Sequence, residues 1–395
     1  MTEPGVVRDP GVTIGTPTGA LAAATIDLAA VRHNTALLAA HTTAGLMAVV
    51  KADAFGHGMI DVARAALAAG AGWLGVTSCA EALRLRAAGV RAPILSWLHH
   101  ADEELSALIA AGVDLSVSTP VHLRSVADAA LRLGVPAQVH LKVDTGLSRN
   151  GATAADWPKL VAQARRAQDR GAVRVRAVWS HLATADVPGH PEVGRQVRRF
   201  DEAYAVARAA GLDPPLRHLA NSAALLTAPR THYDLVRAGI GLYGIEPVPG
   251  RVFGLRPAMT LRSRVVNVKR VPAGTGVSYG HTYVTRRATT LALVPLGYAD
   301  GLPRAAAGRA QVWLAGTRRP IVGQIAMDQC VVDAGDLDVR CGDEVVVFGP
   351  GDRGEPTAAD WARWAATNPH EILTGIGARV ARRPVGGVCP AGGGS

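Results

Sequence analysis

The chain has 395 residues, 48% hydrophobic and 19% charged, which allows two or three domains of roughly 150 residues and excludes wholesale disorder. Its 42 Lys+Arg against 32 Asp+Glu give a net charge of +10, but with 4% aromatics and no dense basic run the pattern is a generally anion-attracting surface, with no footprint for nucleic acid. No apolar stretch approaches the roughly 18 residues of a membrane helix, the four scattered cysteines (Cys79, Cys330, Cys341, Cys389) show neither a disulfide framework nor metal-ligand spacing, and the N-terminal run lacks the basic start and apolar middle of a signal peptide, so a cytoplasmic protein without a metal is expected.

Residues 1–20 read as a flexible leader. Asp27 is a candidate N-cap for a helix over 27–40, in which Leu28, Val31, Leu37 and Leu38 recur at helical spacing. Short apolar runs then alternate with Ala/Leu/Arg-rich stretches. The runs are 46–52, 73–78, 93–98, 114–119, 137–144, 174–182, 216–222 and 233–244, with helical patterns near 59–69, 79–88, 102–111, 121–133, 154–170, 192–210 and 223–228 between them. Eight strands with a helix between most neighbours imply parallel pairing through crossovers, and the count is that of a (β/α)8 TIM barrel over 21–253. A doubly wound open sheet is the alternative. The count of eight, and the lack of Gly-x-Gly-x-x-Gly after the first strand, favour the barrel.

Past residue 255 the rhythm changes. Runs at 259–271, 289–297, 310–316, 319–325, 329–334 and 343–349 are split by Gly/Pro turns, which predicts an all-β C-terminal domain over 254–386, with a boundary around Gly250 to Pro257. One helix is expected at 356–365 behind Thr357, and residues 387–395 read as a flexible tail.

Function in a barrel gathers where its strands end. Those ends hold Lys51, Asp53, Phe55, Gly56 and His57; Ser118 and Thr119; Lys142, Asp144 and Arg149; Ser180 and His181; His218, Asn221 and Ser222; and Arg237, Gly239, Ile240 and Gly241. Lys51 stands out, because only four of the 42 cations are lysines and this one closes an apolar strand, where desolvation lowers an ammonium pKa and frees the amine. Ser222, Gly239 and Ile240 offer a hydroxyl and lightly covered amides at the usual phosphate site of such barrels. A lysine opposite a phosphate cradle suits pyridoxal phosphate, though phosphosugar enzymes use the same cradle.

The strings AVVKADAFGHG, LKVDTGLSRNG, SHLATAD, RHLANSA, VRAGIGLYG, PAMTLRSRV, GVSYGHTY, PLGYADG and GQIAMDQ, in order from about residue 25 to 385, resemble alanine racemases. The resemblance implies a barrel plus a β-domain in a homodimer with shared sites, pyridoxal 5'-phosphate as cofactor, and D-alanine supply for peptidoglycan precursors. It implies Lys51 as attachment point and acid/base on one face of the substrate, and the partner subunit's Tyr279 on the other. His181 and Arg237 would stabilise the phenolate, Arg237 facing the cofactor's ring nitrogen and His218 lying beneath it. An arginine cannot accept that nitrogen's proton, so the electron sink would be weaker and side reactions fewer. Arg149 would meet the cofactor's phenolic oxygen and the substrate. Lys142 would be carbamylated and hold Arg149, with a salt bridge to Asp144 as the alternative. Phe55, Asn221, Ser222, Gly239, Ile240 and His370 complete the cofactor set. The backbone amide of the partner subunit's Met327 would meet the substrate carboxylate, with Asp328 beside it in the substrate set, and Tyr298 would belong to the access gate.

Three positions depart from the family pattern: Phe55 and His370 stand where tyrosine is usual, and Ala326 where cysteine is common. They raise a broader or serine-preferring racemase as an alternative. A barrel decarboxylase would need an acid where Arg237 stands, and a pyridoxal-phosphate carrier would lack the β-domain with Tyr279.

Overall fold

The computed structural model describes residues 21–387 apart from Asp102 and Glu104, so the leader 1–20, Cys389 and nearly all of the expected tail lie outside the described residues. The described residues begin with β1 (Ala22–Asp27) and α1 (Leu28–Ala40). Asp27 caps α1 by accepting the amides of Ala29 and Ala30, which satisfies two donors that the first helical turn leaves without partners.

Eight parallel strands follow: β2 (Gly45–Val49), β3 (Trp73–Val76), β4 (Ile94–Ser96), β5 (Asp114–Val117), β6 (Ala137–Lys142), β7 (Val173–Trp179), β8 (Leu216–His218) and β9 (Leu235–Ala238). They pair in sequence order, β9 returns to β2, and β8 meets β9 through Asp234 N–H to Arg217 O and Arg237 N–H to Ala220 O, both 3.1 Å. The ring is the expected barrel. Between its strands lie the turn α2 (Lys51–Gly56), then α3 (Met59–Ala68), α4 (Cys79–Ala87), α5 (Ser106–Ala110), α6 (Pro120–Leu133), α7 (Trp157–Asp169), α8 (Pro191–Ala209) and α9 (Ser222–Thr227). Of the helix expected at 102–111, the described residues form α5, whose start has no side-chain cap.

Strand alternation sorts the side chains. Leu46, Ala48, Leu115, Val117, Val139 and Leu141 join the helices in the main core, while Met47, Leu95 and Leu235 form a separate cluster with Trp73 and Trp97 inside the barrel. The remainder of the interior is polar. Asp114, Ser116, His140, Lys142, His218 and Arg237 are each at most 5% exposed.

The second half contains β10 (Met259–Arg264), β11 (Asn267–Val271), the ribbon β12 (Gly276–Val277) with β13 (Tyr283–Val284), β14 (Thr289–Val294), β15 (Gln311–Leu314), β16 (Thr317–Val322), β17 (Cys330–Gly335), β18 (Glu344–Phe348), α10 (Ala358–Ala365), α11 (Pro369–Gly375) and β19 (Ala381–Val385). Apart from the ribbon, its strands form one sheet in the order β11-β14-β17-β16-β15-β18-β10-β1-β19. The run 259–271 splits because the chain changes neighbours at Val265, leaving β18 for β14. One expectation is corrected here. Residues 22–27, assigned by sequence to the barrel half, form β1 between β10 and β19 of the second sheet, which leaves neither of those strands open on that side.

Candidate active site

Lys51 follows the end of β2. Val50 still donates to Gly75 O, as a barrel strand would, and then the backbone turns over: Ala52, Asp53, Ala54 and Phe55 all have φ between 50° and 55°, a left-handed turn of four non-glycine residues. Such a turn costs on the order of 1–2 kcal/mol per residue and needs outside support. Glu81, in the first turn of α4, accepts the amides of Ala52 (2.7 Å), Thr77 (2.8 Å) and Ser78 (3.2 Å). Asp53 accepts from Met59 N–H, His57 contacts the carbonyls of Ala54 and Phe55, and Arg382 of β19 donates to Gly56 O. Burial and the Arg149 charge lower the Lys51 pKa, while Glu81 opposes them.

Deeper in the barrel two cations, Arg237 and Lys142, are buried together. Arg237 donates to His218 Nδ1 (3.0 Å), His181 Nδ1 (3.1 Å), Ser180 O (2.8 Å) and Leu219 O (3.0 Å), which fixes its plane. Desolvation pushes its pKa down to about 9, so it remains a cation at neutral pH. Burial, then Arg237, holds His181 and His218 well below the usual imidazole range, so both rings are neutral. The Lys142 ammonium lies 4.3 Å over the Trp179 ring, and burial, Arg237 and Arg149 push its pKa down to about 8. The alternative ion pair with Asp144 is not the arrangement found. Asp144 Oδ1 instead accepts the amides of Gly146, Leu147 and Ser148 and builds the loop that carries the exposed Arg149. Gly151 is required in that loop, since a Cβ there would lie 2.6 Å from the Asp144 nitrogen.

Across the mouth, Asn221 caps α9 through Ala224 N–H, and Ser222 Oγ accepts the amides of Gly239 (2.9 Å) and Gly241 (3.3 Å). Ser222, Gly239 and Ile240 line the same cavity as Lys51, Phe55, Lys142, Arg149, His181, Asn221, Arg237 and His370. Its volume of about 1610 Å³ exceeds the roughly 300–1,000 Å³ of a small-molecule site because it continues between the barrel mouth and α10. The Phe55 ring stands 4.6 Å from that of Tyr243 and 5.8 Å from that of His370, so residues of both halves share one aromatic wall. Burial, then Lys51, lowers the His370 pKa.

Four of the sequence-selected residues are elsewhere. Tyr279, Met327 and Tyr298 are 75%, 53% and 43% exposed, and none of them lines the cavity, nor does Asp328. They form a second cluster on the β-domain. Tyr279 sits beside Ser278, which holds φ 61° and whose hydroxyl donates to Gln324 O. Tyr298 and Ala299 amides donate to the carbonyls of Ala326 and Met327, and Arg379 bridges the carboxylates of Asp300 (3.2 Å) and Asp328 (2.7 Å). The sequence reading overlooked Glu81, Asp114, His140, Arg379 and Arg382. A signal existed for two of them: Asp114-x-Ser116 and His140-x-Lys142 place polar groups at alternate positions of strands that a barrel buries on both faces.

A single chain thus offers an amine of lowered pKa, a fixed guanidinium with two neutral imidazoles, a serine hydroxyl gathering glycine amides at the cavity wall, and, separately, an exposed phenol on a strained turn. Among the described residues no group of three His, Cys, Asp or Glu side chains could hold a metal ion.

Family comparison agrees with this layout. The profile described as alanine racemase, N-terminal domain, matches residues 26–247, and that of the C-terminal domain matches 258–384. An alanine racemase of Frankia casuarinae is 56% identical over 367 residues, covering 92% of this chain and 96% of its own. The crystal structure of alanine racemase from D-cycloserine-producing Streptomyces lavendulae superposes with a TM-score of 0.92 at 50% identity, over 94% of this chain and 98% of that one. That of alanine racemase from Bartonella henselae with covalently bound pyridoxal phosphate gives 0.84 at 30% identity, over 93% and 100%.

Proposed function

The chain belongs to the alanine racemase family, and from that premise we propose that it interconverts L- and D-alanine with Lys51 on one face of the stereocentre and the partner subunit's Tyr279 on the other. It is a pyridoxal-phosphate-dependent isomerase, and the residues fit that cofactor. The observation carrying the fit is the desolvated Lys51 amine and the Ser222/Gly239/Ile240 cradle on opposite sides of one cavity, with Arg237 fixed by four hydrogen bonds. Lys51 would hold the aldehyde carbon covalently, the cradle with Asn221 and His370 the phosphate, and Phe55 the flank, while Arg149 would serve the ring oxygen and the substrate. The bound cofactor supplies an electron sink that acidifies the Cα hydrogen.

Racemisation requires one acid/base group on each face of Cα. Burial and Arg149 shift Lys51 towards the free amine, the form able to take a proton and return it. A tyrosine has an ordinary pKa near 10 and needs a cation to act as a base. Arg237 provides one. Because its guanidinium donates to His181 Nδ1, the neutral His181 ring carries its hydrogen on Nε2 and can donate to the phenol oxygen. Lys142 and Arg149 are both cations as they stand, and a carbamate on Lys142 would turn that repulsion into an ion pair. Tyr298 would belong to the access gate, and the partner's Met327 would offer its backbone amide to the substrate carboxylate, with Asp328 beside it held by Arg379.

The split of the site supports a homodimer: Lys51 and Tyr279 do not meet in one chain, and Tyr279, Tyr298 and Met327 are large side chains left exposed together. A cytoplasmic location and D-alanine supply belong to the same proposal; no helix of the described residues is long and apolar enough to cross a membrane. The Phe55–His370 wall, with Ala326 at the Met327 turn, favours a second reading in which serine is also accepted. Turnover of alanine against serine separates the two.

The test mixes two inactive variants, Lys51→Ala and Tyr279→Phe. Heterodimers carry one intact site, so activity should return to about a quarter of wild type. Persistent inactivity after subunit exchange would exclude the shared site, and a pure enantiomer that gains no deuterium in heavy water would exclude racemisation.

A further inference from the structure

Beneath Arg237 the barrel interior holds a chain of buried polar groups. His218 Nε2 lies 2.9 Å from His140 Nδ1, and His140 Nε2 lies 3.0 Å from Asp114 Oδ2. His218 and His140 are 0% exposed and Asp114 is 2% exposed. Asp114 also meets Arg176 at 3.2 Å, and Trp179 stacks on His218 at 5.2 Å.

The hydrogens of this chain can be assigned by counting. A guanidinium has only donors, so His218 Nδ1 must accept from Arg237. A neutral His218 then carries its hydrogen on Nε2, which must be donated to His140 Nδ1. His140 in turn holds its hydrogen on Nε2 and donates it to the carboxylate of Asp114. Every link has one possible direction, and the carboxylate, an acceptor only, sets it.

We propose that His140 and Asp114 are positioning residues that lock His218 into its Nε2–H form and thereby hold the Arg237 guanidinium in the plane the reaction needs. Without the carboxylate the chain can reverse. His140 would then donate from Nδ1, His218 would carry its hydrogen on Nδ1, and that hydrogen would face the N–H groups of Arg237. The conflict is relieved only by moving the guanidinium. The lock stands on the geometry alone, and only its effect on turnover rests on the racemase reading.

Asp114→Asn tests the lock, since asparagine keeps the shape but can present an amide N–H to His140. His140→Gln is the conservative partner. Its side-chain carbonyl can accept from His218 and its amide can donate to Asp114, which preserves the direction. In long-range ¹H–¹⁵N spectra of the histidine-labelled holoenzyme, wild-type His218 and His140 should each carry hydrogen on Nε2 and a bare Nδ1. Asp114→Asn should populate the Nδ1–H form of His218 and lower kcat about 10- to 100-fold with KM little changed, as outer partners of a fixed group do. His140→Gln should keep the wild-type His218 signature and most of kcat. Hydrogen on Nδ1 of wild-type His218 overturns the proposal without any variant being needed, as does Asp114→Asn with wild-type spectra and kcat. A wild type that shows the lock but does not racemise leaves the lock standing and removes the function assigned to the site.

Discussion

Lys142 carries a linkage that can be measured. Its pKa is pushed from an ordinary 10.5 down to about 8 by burial, then Arg237 and Arg149. The folded chain releases this proton near pH 8 and the unfolded chain near 10.5. Between these values the unfolded state binds more protons, so stability rises with pH across that window, and the full penalty is present below about pH 8. For so buried a group it is on the order of 3 kcal/mol. Lys142→Met should therefore raise the denaturation midpoint at pH 7 in bicarbonate-free buffer, with the gap to wild type closing towards pH 10. Bicarbonate should raise the wild-type midpoint and leave that of Lys142→Met unmoved if a carbamate forms; equal responses would remove the carbamate. Residues of this kind were legible in the sequence, because a lysine at a strand end in an arginine-rich chain is conspicuous. His140 and Asp114 were signalled only by their alternation with Lys142 and Ser116 along their strands, and only closure of the ring brings β5, β6 and β8 close enough for them to act together.

The turn α2 is an element whose conformation opposes its own residues. Four successive left-handed residues total several kcal/mol of strain, so the turn persists only while its neighbours hold it. Glu81 is the principal holder, since one carboxylate takes three amides from the ends of β2 and β3. Glu81→Gln keeps one acceptor oxygen and sets an N–H₂ against amide donors. The expected loss is about 1–2 kcal/mol, limited because Glu81 is only half-buried, and cofactor retention should fall with it as Lys51 loses its fixed start. Thermal melts with and without added pyridoxal phosphate check this; an unchanged midpoint and unchanged retention would show that the turn stands unaided. The sequence signalled a loop at ADAFGHG but not its handedness, because alanine and phenylalanine have no intrinsic preference for positive φ. The strands and long helices were legible for the converse reason, their periodic apolar faces agreeing with where they pack. The ribbon β12/β13 and the helix α11 were not, being too short to show a period.

At the scale of the molecule the chain does not divide where its rhythm changes. From Ala22 it lies in the sheet of the second half as β1, runs through the whole barrel, and returns to pair β10 and β19 on either side of β1. Arg382 of β19 then reaches back to Gly56 O, and α11 brings His370 to Phe55. The aromatic wall of the cavity is therefore assembled from both halves, and the halves should unfold together. Ala24, 0% exposed at the centre of β1, gives a mild probe. Ala24→Gly removes a buried methyl and frees the backbone of a central strand, a loss of about 1–2 kcal/mol. Hydrogen exchange followed by peptide mass should show that loss equally in α1 and α3 of the barrel half and in β18 of the sheet, because one global opening exposes them all. If protection falls in the sheet alone while the barrel peptides keep theirs, the two halves open independently, and the placement of β1 is a packing detail with no hold on the site.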